Sequence, residues 1–223
     1  MMNKKGIILL SGGLDSLVSL GVAKDEYNVQ LALTFDYGQN PVEQEIKTSK
    51  KIADYYNIEH KVIQLPFLQE ITHNAFVGGS SDLPTENIGT IESAKAVWVP
   101  NRNGLFLNIA ASFADAYGYT HILFGANKSE GQTFPDNTPE FVSGINEEFK
   151  YSTMKGVQVV APLINYTKND IVKLALNKGI PLELAYSCYA KGEKNCGVCE
   201  SCKNFKRALE ENKAYEYIER LFL

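Results

Sequence analysis

The chain is poor in several features that mark common protein classes. No apolar stretch among its 223 residues approaches the roughly 18 residues of a membrane span, so we predict no transmembrane helix. A formal net charge of −4 and an isoelectric point near 5.5 argue against a broad nucleic-acid surface, and we expect no direct nucleic-acid partner. The three histidines, His60, His73 and His121, do not cluster in the sequence, so none is assigned a catalytic role.

Targeting signals and repeats are also missing. The first residues run into an apolar segment without a signal-peptide cleavage pattern, and we therefore expect a cytoplasmic protein. No internal repeat or low-complexity segment is visible. With 44% hydrophobic and 22% charged residues, the composition is that of an ordinary globular protein. The length suffices for one α/β domain with a small appendage.

The most informative segment is a loop of small residues, S-G-G-L-D-S at positions 11–16. An apolar run at 6–10 predicts a buried strand before it, and residues 17–23 predict the first turns of a helix after it. Backbone N–H groups at such a turn converge on an anion, most simply a phosphate chain. A Walker loop would need Gly-Lys-Ser/Thr and a dinucleotide fingerprint G-x-G-x-x-G, so both are excluded. The alternative is a glycine-rich turn with an aspartate helix cap.

Strands and helices alternate along the rest of the chain. We predict further strands at residues 29–35, 60–65, 121–125 and 157–161, and helices at 42–56, 104–117, 139–153 and 168–177. Residues 68–96, rich in Gly, Ser, Thr and Asn, predict a long irregular segment. The alternation implies a parallel sheet with right-handed crossovers. Ligands of such sheets bind beyond the carboxyl ends of the strands, where residues 11–16 and 34–39 would both lie.

All four cysteines lie near the C-terminus, at Cys188, Cys196, Cys199 and Cys202. Paired C-x-x-C turns bring thiolates within reach of one tetrahedral Zn²⁺. A reducing compartment makes disulfides the weaker interpretation, and thiolate spacing alone leaves an iron–sulfur cluster open. Because four thiolates leave no position for substrate, we predict one structural zinc per chain that folds a segment with few apolar residues.

Taken in order, these motifs resemble the QueC family of ATP pyrophosphatases. The resemblance rests on the loop at 11–16, F-D-Y-G-Q, V-P-N-R-N, F-P-D-N-T-P-E-F and the four-cysteine knuckle, and it runs from Gly6 to about Arg207. It implies an α/β fold with a Rossmann-like parallel sheet of the adenine nucleotide α-hydrolase (HUP/PP-loop) type, with a small C-terminal helical zinc-binding segment. Residues 1–185 would form the PP-loop ATP pyrophosphatase domain, and residues 186–223 the zinc knuckle and C-terminal helices.

The resemblance also implies a carbon–nitrogen ligase of queuosine or archaeosine biosynthesis. Its substrates would be ATP, 7-carboxy-7-deazaguanine and ammonia, and its product 7-cyano-7-deazaguanine. ATP, cleaved between its α- and β-phosphates in the presence of Mg²⁺, would adenylate first the acid and then the amide that ammonia forms from it. Loss of AMP would leave the nitrile. The family resemblance further suggests a homodimer.

Two alternatives stay open. One is a related PP-loop enzyme that joins the adenylated deazaguanine acid to a different amine, or an NAD synthetase or tRNA sulfurtransferase. The missing glutaminase domain and basic RNA-binding extension count against the last two. The other alternative is a nucleotide-sensing adaptor without turnover.

The resemblance assigns three groups of site residues. The catalytic residues would be Asp15, Ser16 and Arg102. ATP would be bound by Leu9, Leu10, Ser11, Gly12, Gly13, Leu14, Asp15, Ser16, Thr34, Phe35, Tyr37, Gly125 and Lys168. The second substrate would be bound by Gln39, Arg102, Asn103, Asp136 and Glu140. The residues themselves permit plainer roles: helix capping for Asp15, a loop salt bridge for Arg102, a first-turn helix acid for Glu140 and a solvated surface lysine for Lys168.

One stretch departs from the family pattern. Many bacterial members read Y-P-D-C-R-P-E-F where this chain has F-P-D-N-T-P-E-F, so Asn137 and Thr138 replace a cysteine and an arginine. Upstream, Glu130 stands near where an aspartate is usual. An arginine lost beside a carboxylate substrate removes a bond worth about 1.5–3 kcal/mol. Either Arg102 or Lys128 substitutes for it, or the substrate differs.

Overall fold

The computed structural model describes residues 4–77, 90, 93 and 95–223. Its centre is a parallel five-stranded sheet in the order β3-β2-β1-β4-β5. The strands are β1 (Gly6–Leu9), β2 (Val29–Asp36), β3 (Glu59–Gln64), β4 (His121–Leu123) and β5 (Gln158–Val160). The predicted fold class is therefore confirmed, and each predicted strand is present with its ends moved by one or two residues.

Helices fill the connections between the strands. They are α1 (Leu14–Ala23), α2 (Val42–Tyr55), α3 (Pro66–Ile71), α4 (Arg102–Tyr117), α5 (Lys128–Gly131), α6 (Pro139–Ser152), α7 (Lys168–Lys178), α8 (Glu200–Glu211) and α9 (Tyr215–Leu221), with 3₁₀ turns at Pro135–Asn137 and Leu182–Leu184. At the start of α7, Thr167 and Asp170 form the two reciprocal hydrogen bonds of a capping box.

Two predicted boundaries were wrong by more than two residues. Helix α1 begins at Leu14, directly after the glycines, and not at Leu17. The predicted irregular segment at 68–96 begins inside α3, because Pro66 at the first helical position has its φ preset for a helix. Residues 78–89, 91, 92 and 94 of that segment, and the first three residues of the chain, lie outside the described residues.

The sheet is covered on both faces by apolar helix surfaces. Successive side chains of a strand point to opposite faces. In β1, Ile8 belongs to one buried cluster with Leu17 of α1 and Ile171 of α7. Ile7 belongs to the other cluster, with Leu107 of α4 and Phe149 of α6. A strand that is apolar on both faces is typical of the centre of a parallel sheet.

The C-terminal segment packs against the α1 face. Phe205, Leu209, Leu221 and Phe222 are buried in the same cluster as the residues of α1, and the rings of Phe205 and Phe222 lie 5.7 Å apart. The apolar C-terminal tail therefore docks within its own chain. In the part of the chain that the structure describes, no helix combines the length and apolarity that a membrane span needs.

The strand order reverses direction at β1, which lies between β2 and β4. In such sheets, the crevice beyond the carboxyl ends of the strands at the reversal is the usual ligand site. The segment after β4 passes directly over the first turn of α1. A Cβ atom on Gly125 would lie 3.2 Å from the backbone nitrogen of Ser16 and 3.4 Å from the carbonyl carbon of Asp15. Gly125 therefore permits contact between two backbone segments.

We predict that Gly125→Ala lowers the free energy of unfolding by about 1–3 kcal/mol, because the added methyl group meets backbone that cannot yield easily. Urea denaturation measures the change. Gly144→Ala is the matched control: this exposed glycine in α6 has nothing within 4 Å of the added atom, so we expect a gain of about 0.5–1 kcal/mol. Equal stabilities for the two variants would contradict the close packing at Gly125.

Candidate active site

A cavity of about 240 Å³ lies beyond the carboxyl ends of β1, β2 and β4. The structure brings most of the predicted site residues to its wall. Those that line it are Leu9, Leu10, Ser11, Gly13, Asp15, Ser16, Thr34, Phe35, Tyr37, Arg102, Asn103, Gly125 and Asp136. Segments as far apart in sequence as the first loop and α4 therefore face one space.

The loop at 11–16 is shaped by its glycines. Gly12 has a φ of +79°, and a Cβ on it would lie 2.9 Å from the Cβ of Thr48. Gly13 precedes α1 in an extended conformation without a side-chain cap. The Ser16 hydroxyl donates to the Gly13 carbonyl at 3.0 Å and lies 3.3 Å from the Ser11 hydroxyl. The positive end of the α1 dipole thus borders the cavity, as an anion site requires.

Lys168 connects this loop to two other segments. Its Nζ lies 2.5 Å from Asp15 Oδ2 and 3.0 Å from Glu130 Oε1, and its side chain is 10% exposed. It is therefore not a solvated surface lysine. Although burial lowers the pKa of Lys168, Asp15 and Glu130 together raise it above the ordinary value. Burial raises the pKa of Asp15, and Lys168 opposes that rise.

The second oxygen of Asp15 has a different environment. Oδ1 is buried and has no hydrogen-bond partner among the described residues. A buried carboxylate oxygen without a partner is costly, and it is the kind of ligand that Mg²⁺ takes. The residues at the loop therefore fit a magnesium ion brought in with a nucleotide.

Arg102 opens α4 at the opposite wall. Its guanidinium donates to the Tyr37 hydroxyl at 3.3 Å through Nη1 and to Asn103 Oδ1 at 3.3 Å through Nε. Burial raises the pKa of Tyr37 to about 12, so the phenol stays neutral. Burial also raises the pKa of Asp136, and the nearby Arg102 opposes that rise. The wall thus offers a guanidinium beside a partly buried carboxyl group.

The remaining predicted residues do not line the cavity. Gln39 is 1% exposed, and its amide bonds to backbone groups of its own turn and to Glu45. Glu140 is exposed in the first turn of α6. Leu14 belongs to the core, and the Gly12 carbonyl accepts from the backbone N–H of Tyr186 at 2.9 Å. The binding roles of these residues stay predictions.

The departing stretch has a local structural role. Asn137 donates to Asp136 Oδ1 at 3.0 Å. The Thr138 hydroxyl caps α6 by accepting from the Phe141 N–H at 3.2 Å. Of the two cations considered as replacements for the missing arginine, Arg102 lines the cavity, whereas Lys128 is exposed on α5.

Sequence reasoning missed several cavity residues. Glu45 of α2 lines the cavity, and burial raises its pKa to about 7 against the opposing effects of Gln39 and Arg102. The rings of Trp98 and Phe134 lie nearly parallel in the wall, at a tilt of 7° and a centroid distance of 6.0 Å. Ser187 reaches the cavity from the cysteine segment. Helical spacing could have revealed Glu45, since it lies one turn before the buried Ser49.

The four cysteines form one compact cluster. Their Sγ atoms all lie within 4.8 Å of one another, and those of Cys196 and Cys202 are 3.8 Å apart. Tetrahedral zinc with Zn–S bonds of about 2.3 Å separates its sulfurs by about 3.8 Å. All four cysteines are free of disulfides. The Cys188 sulfur also accepts two backbone N–H groups at 3.4 Å, which stabilises a thiolate. The donor set therefore fits a single zinc ion.

The cysteine cluster is joined to the phosphate loop. The Ser187 hydroxyl accepts the N–H of Leu14, the first residue of α1, at 3.0 Å. The Ser187 N–H in turn donates to Asn195 Oδ1 at 2.9 Å, beside Cys196. Cys188 itself lines the cavity. The segment that carries Cys188 thus contacts one side of the loop through Ser187.

Comparisons with known proteins agree on one family. Residues 5–213 match the family model of queuosine biosynthesis protein QueC. The chain is 48% identical over 210 residues to a 7-cyano-7-deazaguanine synthase of Carboxydothermus hydrogenoformans, covering 92% of this chain and 98% of that protein. It is 45% identical over 216 residues to the synthase of Methanosarcina barkeri, covering 92% and 94%.

A solved structure shares the fold at much lower identity. NMN synthetase from Francisella tularensis superimposes with a TM-score of 0.50 and 18% identity, covering 99% of this chain and 83% of that one. At this identity the likeness concerns the fold alone.

We predict one zinc per chain, which elemental analysis of the purified protein will measure. Stripping it with a strong chelator should unfold the C-terminal segment and weaken ATP binding, because the loop loses its support at Ser187. Circular dichroism and calorimetric titration with ATP report the two losses, and adding zinc back is the control. Iron in the protein, or ATP affinity unchanged after complete stripping, would contradict this interpretation.

We predict that Glu45→Gln is more stable than the wild type at pH 8 by about 1–2 kcal/mol, allowing for partial solvent screening. The folded state raises the pKa of Glu45 from an ordinary 4.5 to about 7. The contribution of Glu45 to the free energy of unfolding is therefore fully present below pH 4.5 and is lost as the pH rises through about 7. Urea denaturation at pH 5 and pH 8 measures the difference, which should shrink at pH 5. The exposed Glu43→Gln on the same helix is the control, and a Glu45→Gln variant less stable at pH 8 would refute the prediction.

Proposed function

This chain belongs to the family of queuosine biosynthesis protein QueC, and on that premise we propose that it is an ATP-dependent ligase that forms 7-cyano-7-deazaguanine. The substrates are 7-carboxy-7-deazaguanine, ammonia and ATP. The observation that carries the proposal is one cavity that joins a phosphate loop without a Walker lysine to a guanidinium on the facing wall. One wall suits a nucleotide and the other a carboxylate.

The loop side is the proposed ATP site. Backbone N–H groups at the start of α1 bind the β- and γ-phosphates, which leave as pyrophosphate. Mg²⁺ would be held by Asp15 through its unpartnered Oδ1 and would neutralise charge on the departing pyrophosphate. Lys168 holds the other oxygen of Asp15 in place. Lys168 thus acts by positioning Asp15, and it is also the residue predicted to contact the phosphates of bound ATP.

The facing wall is the proposed acceptor site. Arg102 forms a charge-assisted bond to the substrate carboxylate and replaces the arginine absent at position 138. Asp136, oriented by Asn137, accepts the N–H donors of the guanine-like edge. The nearly parallel rings of Trp98 and Phe134 offer a stacking surface for the planar heterocycle. Gln39, Asn103 and Glu140 complete the predicted acceptor set.

Adenylation provides the leaving group that each step of the reaction needs. A carboxylate oxygen and an amide oxygen are both poor leaving groups, and attachment of AMP lets each of them depart. Ammonia attacks the first adenylate to give the amide, and loss of AMP from the adenylated amide leaves the nitrile. The zinc ion has no open position for this chemistry and serves to hold the C-terminal segment.

Two further features belong to the proposal. We infer a homodimer from the family resemblance. We also infer a cytoplasmic location, which the four free cysteines support because a reducing compartment keeps thiols available for zinc.

We predict that the purified protein converts 7-carboxy-7-deazaguanine, ATP and ammonia to the nitrile, with two AMP and two pyrophosphate released per nitrile. Asp15→Asn should lower AMP formation by about 10²–10³-fold, because the loop loses the charge that faces the metal. Mass spectrometry of the product and a coupled pyrophosphate assay give the readouts. Asp25→Asn, on the surface just after α1, is the control.

The other outcomes separate the competing functions. AMP formation only with another amine would indicate a different ligase of the same kind. ATP binding without AMP formation would indicate a nucleotide sensor. Near-normal turnover of Asp15→Asn would contradict the assignment of the loop.

A further inference from the structure

Glu45 is a carboxylate of the cavity that the proposed roles leave unused. It lies in the first turn of α2 and lines the same cavity as the phosphate loop and Arg102. Helix α2 runs directly beside the loop: a Cβ on Gly12 would lie 3.3 Å from the backbone carbonyl of Glu45. Glu45 therefore lies beside the loop, in the cavity that Arg102 also lines.

Gln39 holds this carboxylate in a fixed orientation. Gln39 Oε1 accepts the backbone N–H of Tyr37 at 3.0 Å, so its Nε2 must lie on the other side. That Nε2 donates to the Phe35 carbonyl and to Glu45 Oε2, both at 2.8 Å. The amide can rotate only by losing these bonds. One oxygen of Glu45 is thus engaged by a neutral donor, and the carboxylate is set against the cavity.

The other acidic groups of the cavity have partners that restrict their chemistry. Asp15 and Glu130 both pair with the buried ammonium of Lys168, and Asp136 accepts the amide of Asn137. Among the described residues, the charged and titratable groups that face Glu45 are Arg102 of α4 and the Tyr37 phenol. Burial raises the pKa of Glu45 to about 7, and a carboxyl group that titrates in this range suits the uptake and release of a proton.

The proposed reaction needs such a group. At neutral pH most ammonia in solution is ammonium, which has no lone pair with which to attack the acyl-adenylate. A carboxylate attracts the ammonium ion, and a nearby guanidinium disfavours the ion's charged form. The site beside Glu45 and Arg102 combines both effects.

We propose that Glu45 binds the ammonium ion in the cavity and accepts one of its protons, which releases ammonia as the nucleophile. This inference rests on the proposed function. The step converts the carboxylate and ammonium to a carboxylic acid and ammonia. The nitrogen lone pair then forms the C–N bond, the C–O bond to AMP breaks with its electron pair, and the nitrogen loses a proton to solvent. Glu45 returns its own proton to solvent before the next turnover.

The test compares Glu45→Gln with the wild type in two reactions. Exchange of pyrophosphate into ATP with the acid alone reports adenylation and needs no ammonia, so it should stay within about threefold of the wild type. Ammonia-dependent amide formation at pH 7 should fall about 10²-fold or more. Glu43→Gln, an exposed acid in the same helical turn, should leave both rates unchanged.

The pH profile distinguishes a proton acceptor from a structural residue. In Glu45→Gln only free ammonia reacts, so kcat/KM for total ammonia should rise about tenfold per pH unit from 7 to 9. In the wild type the rise should level off above about pH 7, where Glu45 is ionised. Glu45→Asp keeps a carboxylate and should keep this plateau at a lower rate.

Two results would overturn the inference while leaving the proposed function standing. One is a Glu45→Gln variant whose kcat/KM for ammonia has the same value and the same pH dependence as that of the wild type. The other is loss of pyrophosphate exchange together with amide formation in a Glu45→Gln variant that retains its zinc and is no less stable to urea than the wild type. If the wild type itself forms neither amide nor nitrile, the proposed function fails, and the inference fails with it.

Discussion

The buried ion pairs of Lys168 are the constraint on which the site depends. One ammonium joins Asp15 of α1, Glu130 of α5 and its own helix α7, three elements that are far apart in the sequence. Breaking a buried ion pair costs about 3–5 kcal/mol, and removal of Lys168 would leave both carboxylates without their shared partner. The backbone N–H of Lys168 also donates to the Ser129 hydroxyl at 3.1 Å. The position of Asp15 at the phosphate loop is therefore set by α5 and α7 as well as by its own helix.

The opposite side of the loop is held by neutral groups. Ser187 and Tyr186 contact the loop through hydrogen bonds to Leu14 and Gly12, and Gly125 allows the β4 segment to pass close to Ser16. The N–H of Leu14 is thus held by Ser187, while Gly13, Asp15 and Ser16 line the cavity. A site arranged in this way before its ligand binds loses little conformational entropy on binding.

The site features that could be predicted from the sequence are those formed by residues that lie close together in the chain. The strand-loop-helix at 11–16 needs only neighbouring residues, and the cysteine spacing defines its own metal geometry, so both predictions agree with the structure. The parallel sheet followed from the alternation of strands and helices. The pairing of Lys168 with Asp15 spans 153 residues, and no local pattern distinguishes it from a surface lysine.

Other misses have equally physical causes. Thr138 looked like a lost substrate contact because only the structure reveals its role as the cap of α6. Glu45 was not singled out, because it shares the first turn of α2 with Glu43 and the sequence does not distinguish the two. The two glutamates differ in their surroundings: Glu45 lines the cavity, whereas Glu43 is exposed to solvent. The residue types in the motifs were sufficient to predict a nucleotide site. The role of each carboxylate in that site depends on its burial and its hydrogen-bond partners, which the sequence does not show.

The hydrogen bonds between the cysteine segment and the phosphate loop have a thermodynamic consequence. If zinc favours the loop conformation that binds ATP, the coupling free energy is shared, and bound ATP must favour retention of zinc by the same factor. Bound ATP then slows the loss of zinc from Cys188 and the other three cysteines. When ATP is depleted, zinc is bound less tightly, and chelators compete for it more effectively.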